Sequence, residues 1–257
     1  MILNLLRKLY KPPQKSLLCN TNKKVLNITP DTPDKRDYTI IEAPTTSTTQ
    51  NNSLKQYCPP IKNQGMIGSC SSHAYCTALE ILHNIHNDPI KTSELYHYHY
   101  ARKMTNTFPK DTGMTMRDAA KTLTKYGVCF EEQYPYNLAS FNKEPGWLAQ
   151  LTARFLRTKA YYRCNNYTEI CDALSKNMPV CVGIKVDKAF LQNKTGLVTK
   201  LQTTVIGGHA MCAIGYNEQG VEFANSWGAN WGNKGYAIIS KKYIDDALID
   251  AWAITKN

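Results

Sequence analysis

At 257 residues and 42% hydrophobic content, the chain can bury the core of one large domain or of two small ones sharing a cleft, which excludes wholesale disorder. Its apolar runs are short, as in "PVCVGI" at 179–184, far below the roughly 18 residues that span a bilayer, so no membrane span is expected. The net charge of +11 suits an anionic partner, but the lysines are scattered and no nucleic-acid-reading motif accompanies them, so specific nucleic-acid binding is not expected.

The chain opens on "MILNLLRKLYKPPQK", a short greasy start followed by basic residues and prolines, with neither a preceding charged region nor a small-residue cleavage site. It reads as a leader over 1–30 rather than a secretory signal. Residues 45–53, "TTSTTQNNS", form a polar loop with no face to bury. Ala74, Tyr75, Ala78, Leu79 and Leu82 recur at three and four, which predicts a helix over 72 to about 86 with Cys70 at its start. A second helix is expected over 116–126, ended by Gly127, and a third over 167–176 after a cap at Asn166. Short apolar or alternating runs then follow at 179–186, 209–217, 220–227, 235–240 and 251–255, separated by glycine and asparagine turns. A helical first half followed by an antiparallel sheet makes the class α+β, with a cleft between the halves as the natural ligand site.

Nine cysteines leave at least one thiol unpaired within a monomer. Cys164 and Cys171 have no second matching pair, and the histidine pairs at 83 and 86 and at 97 and 99 have no third ligand at a sensible spacing. No metal site or cofactor is expected.

One thiol has a chemical setting. Cys70 follows the glycine-rich "QGMIGS" and begins a helix, whose unpaired N–H groups favour a thiolate. His209 follows two glycines at the mouth of a strand, and sixteen residues later Asn225 in "NSWGANWGNKGY" offers an acceptor for an imidazole N–H, with Trp227 beside it to exclude water. Nucleophile, base and orienter are the roles that covalent cysteine catalysis requires.

Together "QGMIGSC", "GGHAMCAIGYN" and "NSWGANWGNKGYAII" resemble the papain family of cysteine proteases, in the order Cys, His, Asn, with His209 lying 139 residues after Cys70. "PDKRDY" at 33–38, "CPPIKNQG" at 58–65 and "RDAAKTLTKYGVCFEEQYPY" at 117–136 are similar to the branch of that family seen in bacteria and large DNA viruses. The resemblance implies a two-lobe fold over 31–257. A helical lobe would occupy about 59–150 and a β lobe about 151–257, with 31–58 packing on the latter. It also implies Cys70 as nucleophile, His209 as base, Asn225 as orienter and Gln64 as the side-chain donor of an oxyanion hole. Gly113 in "DTGM" resembles the glycine that binds substrate backbone, and Gly208 stands where another side chain usually precedes the histidine. Ile67 and Ser71 replace the family's usual cysteine three residues before the nucleophile and its usual aromatic just after it, so the disulfide there is absent.

The expected activity is that of a cysteine endopeptidase acting on polypeptides through a thiolate–imidazolium pair and a covalent acyl-enzyme, since the paired-histidine insertion of dipeptide-removing members is missing. The alternative is a papain-fold protein that binds peptides or transfers acyl groups without hydrolysis. Residues 1–30 are expected to act as a short inhibitory or anchoring segment across the cleft. A monomer located in the cytoplasm or a virion is expected.

Overall fold

The computed structural model describes residues 24–40 and 51–256. Most of the expected leader and most of the polar loop at 45–53 lie outside the described residues. Among the described residues the longer helices are α1 (Cys70–Ile85), α2 (Glu94–Met104), α3 (Met116–Lys125), α4 (Trp147–Ala153), α5 (Tyr167–Ser175) and α6 (Lys241–Ala247), beside a single helical turn at Lys188–Leu191. The three expected helices are α1, α3 and α5. Thr115 caps α3 through the N–H of Asp118, and Asn166 caps α5 through the N–H of Glu169.

Helix α2 has no counterpart among the expected elements. Its sequence "ELYHYHYARKM" carries aromatic, histidine and charged residues around the whole circumference, so there is no apolar stripe to read, yet eight of its residues are buried. Ser93 starts it by accepting the N–H of Tyr96. The histidines are consumed structurally. His97 bonds Ser72 Oγ and Ala119 O at 2.9 and 3.0 Å, His99 reaches Glu144, and His83 bonds Asp88.

The strands are β1 (Asn52–Ser53), β2 (Thr158–Arg163), β3 (Val180–Asp187), β4 (Leu197–Val198), β5 (Val205–Asn217), β6 (Gly220–Ala224), β7 (Tyr236–Ile239) and β8 (Leu248–Lys256). They form one sheet in the order β2-β8-β3-β5-β6-β7-β4, with β1 added to β5. Every pairing is antiparallel except that of β4 with β7. Strand β5 is central and buried continuously from Gly208 to Gly215, so its sequence shows an unbroken apolar run instead of alternation.

Helix α1 lies between the layers, touching β5, β3 and β8 on one side and α2 and α3 on the other. Thirteen of its sixteen residues are buried. Its first residue therefore falls at the seam, level with His209 on β5. The chain before the helices also crosses this seam. Asp31 accepts the backbone N–H of Arg117 on α3 and the indole N–H of Trp252 on β8, and its own N–H donates to Asp250 at 2.7 Å. Asp37 ion-pairs with Arg117 and lies 3.5 Å from Arg163 on β2. Ile40 and Tyr38 exchange backbone bonds with Arg163.

Candidate active site

Of the side chains singled out in the sequence, Cys70 and His209 sit on a helix and a strand, whereas Gln64, Gly113 and Asn225 lie in the segments between elements. Cys70 is the first residue of α1, after Ser69 at the cap. The helix tip and strand β5 pack together, and the backbone N–H of Ala210, the residue after His209, favours the thiolate form of Cys70. His209 sits on β5 opposite Ile184 of β3 and is fully buried.

The imidazole is fixed in one tautomer. Asn225 Oδ1 takes the backbone N–H of Ser226 at 2.7 Å, so it is an acceptor, and His209 Nε2 at 2.7 Å must be the donor. Nδ1 is left as a lone pair, buried and without a hydrogen-bond partner among the described residues. Trp227 stacks on the ring with centroids 4.2 Å apart and planes at 29°, keeping water off the histidine–asparagine bond.

Gln64 is held just as tightly. Ser226 Oγ bonds its Oε1 at 2.7 Å, and its Nε2 donates to Ile67 O at 3.0 Å, leaving the second amide hydrogen uncommitted by these bonds. Tyr136, which the sequence reading did not identify, bonds both Gln64 O and Ser69 Oγ. The loop between Gln64 and Cys70 is also tied by Asp111, whose carboxylate accepts the N–H of Gly68 at 3.0 Å. Asp111 stands two residues before Gly113 in "DTGM", and nothing in the sequence distinguishes it from a solvated acid.

A stretch of the chain itself lies over these groups. Lys24 places its ammonium 5.6 Å from the Trp227 ring centre, Leu26 packs on Gly207, and Asn27 lies against Gly68 and Gly113. Ile28 follows at Gly208 and Gly183, with Met116 also at Gly183 and Ile249 also at Gly208. Asn27 pairs with Gly208 as an isolated parallel bridge, and Ile28 N reaches Gly208 O at 3.5 Å. A Cβ on Gly113 would fall 2.5 Å from Asn27 O and one on Gly208 2.8 Å from Ile28 O, so both positions accept backbone only because they are glycine. Gly113 also has φ +71°, a region side chains disfavour.

Burial decides the electrostatics. Burial pushes the Cys70 thiol up to about 11, against the backbone N–H groups of Ala210 and Ser71 that pull it down. Burial likewise drives the His209 imidazole down to about 3, against the Asn225 bond. The helix start was expected to acidify the thiol; in the covered site desolvation outweighs it, and thiol and imidazole are both held neutral. The eight cysteines among the described residues are all free thiols.

A family model described as "Papain family cysteine protease" matches residues 44–255. An uncharacterized peptidase C1-like protein of Acanthamoeba polyphaga mimivirus is 33% identical over 212 residues, covering 75% of this chain and 68% of the viral one. Pro-cathepsin H of Mus musculus is 26% identical over 193 residues, and this chain spans 56% of its length. Among solved structures, xylellain, a cysteine protease from Xylella fastidiosa, superposes with a TM-score of 0.82 at 26% identity, covering 94% of this chain and all of the bacterial one.

Proposed function

The chain belongs to the papain family of cysteine proteases and is a cysteine endopeptidase, and on that premise we propose that Cys70, His209, Asn225 and Gln64 carry its chemistry. The observation that supports this most is the 2.7 Å bond from His209 Nε2 to Asn225, which aims an unoccupied Nδ1 lone pair away from the asparagine while Cys70 sits against Ala210. That lone pair takes the thiol proton. The thiolate attacks the carbonyl carbon of the scissile bond, forming the C–S bond, and the oxyanion is met by the free hydrogen of Gln64 Nε2 and the N–H of Cys70. The C–N bond then breaks as His209 returns the proton to the leaving amine. Water attacks the acyl-enzyme with its proton going to His209, and the C–S bond breaks to release the acid. Gly113 would bind substrate backbone, Gly208 would let it pass close to His209, and Trp227 would shield the base.

Residues 24–30 would act as an inhibitory segment, because they occupy the positions a substrate backbone needs at Gly113 and Gly208. Residues 31–40 would remain with the folded body, tied through Asp31 and Asp37 to both layers. The free thiols suit a reducing compartment, whether cytoplasm or virion interior, and a monomer acting on polypeptides.

The test is a Cys70→Ala protein with a peptide library and stoichiometric labelling of the parent by a mild thiol-reactive epoxide. Loss of cleavage in the variant and one label on Cys70 are expected. Cleavage by Cys70→Ala as fast as by the parent would remove the assignment.

A further inference from the structure

Asp111, in the loop between α2 and α3, has a carboxylate engaged on two sides. It accepts the backbone N–H of Gly68 at 3.0 and 3.1 Å from its two oxygens, and it accepts the hydroxyl hydrogen of Tyr98. That hydroxyl oxygen in turn accepts the backbone N–H of Gly113 at 3.0 Å. The direction of each bond is forced, since Tyr98 has one hydrogen and spends it on the carboxylate. A continuous relay therefore joins Gly68 to Gly113, the two glycines between which Asn27 lies. Tyr98 is fully buried on α2, its ring against Phe141 and 4.8 Å from the Arg102 guanidinium carbon, so the relay is anchored in the helical layer.

We propose that Asp111 and Tyr98 are positioning residues that set the gap between Gly68 and Gly113, and so place the substrate backbone against the nucleophile. The inference rests on the catalytic reading above. Gly68 is two residues before Cys70 and four after Gln64, so the direct arm of the relay steers the loop that carries nucleophile and oxyanion donor. The Tyr98 arm steers the glycine that would grip the substrate. Ile67 fills the place where the resemblance leads one to expect a disulfide cysteine, and a charged acceptor holding Gly68 supplies a tie at that point of the loop. No residue of the relay touches the reacting atoms.

The two arms separate in kinetics, measured on the full chain per titrated Cys70 thiol so that any fraction still covered drops out. Tyr98→Phe removes the bonds from its hydroxyl to Asp111 and from Gly113 while leaving Asp111 on Gly68, and is expected to raise KM several-fold while kcat stays within about twofold. Asp111→Ala releases both arms and is expected to lower kcat by about tenfold or more as well, because misplacement of about 1 Å at a catalytic centre costs on the order of 10²-fold. Asp111→Asn keeps one acceptor oxygen and is expected to fall between parent and alanine variant, which secures the test if the alanine variant folds poorly. Tyr98→Phe lowering kcat at constant KM, or either variant shifting only the melting temperature, would overturn the relay. Cys70→Ala separates the premises: if it abolishes cleavage while Asp111→Ala leaves both constants intact, the catalytic assignment stands and the positioning role falls.

Discussion

Asn27 bridges Gly208 across the cleft, one residue before the histidine, and its own backbone oxygen faces Gly113 on the opposite wall. The chain thus lays its own backbone along the two glycines that leave room for backbone. Removal of the cover should expose Cys70. Ile28 is 7% exposed, and truncating a buried isoleucine costs about 2 kcal/mol or more, so Ile28→Ala should raise the open fraction about thirtyfold. The rate of epoxide labelling at neutral pH measures this, and a rate equal to that of the parent would show that residues 24–30 do not guard the thiol.

The pH profile of labelling should change as well. In the covered site the thiol is pushed up to about 11, chiefly by burial, so thiolate is scarce at neutral pH and labelling should climb steadily through the alkaline range. With the cover loosened by Ile28→Ala, water reaches the site, the desolvation penalty falls and the helix start favours the anion, so the profile should flatten nearer neutrality. Identical profiles for the two proteins would place the cause outside the cover.

Gln64→Ala should lower kcat about 10²-fold with KM little changed, because its amide hydrogen meets charge that develops only in the transition state. Asn225→Ala should also act on kcat, since the Asn225 Oδ1 acceptor fixes the proton on His209 Nε2. Steady-state kinetics on one peptide substrate compares both, and a change confined to KM for Gln64→Ala would argue against an oxyanion role.

Glu131 borders a cavity of about 890 Å³ that is also lined by Lys62, Glu80, Glu94 and His73. Burial, and then the charge of Glu94, raise its carboxyl to about 8. Its folded value lies above the unfolded one of about 4.3, so the folded protein holds a proton there that the unfolded chain releases. The stability linked to that proton is fully present below about pH 4 and is lost as pH rises through about 8. Glu131→Gln should therefore melt progressively higher than the parent between pH 5 and pH 8, on the order of a few degrees or more. A melting-temperature difference independent of pH would mean that Glu131 does not titrate across that range.

Much of this was legible in the residues. The α1 periodicity ran true because one layer of α1 contacts is apolar at helical spacing, and the caps at Thr115 and Asn166 are local signals that survive folding. Helix α2 was not legible, because a helix buried on all sides among tyrosines and histidines has no stripe. Strand β5 began at Val205 instead of 209, its extension being set by pairing with β3. At the site, Cys70, His209, Asn225 and Gln64 could be nominated from type, spacing and resemblance, whereas Asp111, Tyr98, Tyr136 and Ser226 could not. They tie the site together through partners 13 to 162 positions away.

By itself the sequence determined the α+β class, the thiol at a helix start, the family resemblance and the residue types a cysteine peptidase needs, since these depend on local pattern and side-chain chemistry. Only the tertiary structure decided which imidazole nitrogen carries the proton, which glycines accept backbone and whether the thiol is charged. Those properties follow from what is packed against each group: Asn225 against one nitrogen, residues 26–28 against the cleft glycines, and burial at Cys70 that outweighs the N–H groups favouring the anion.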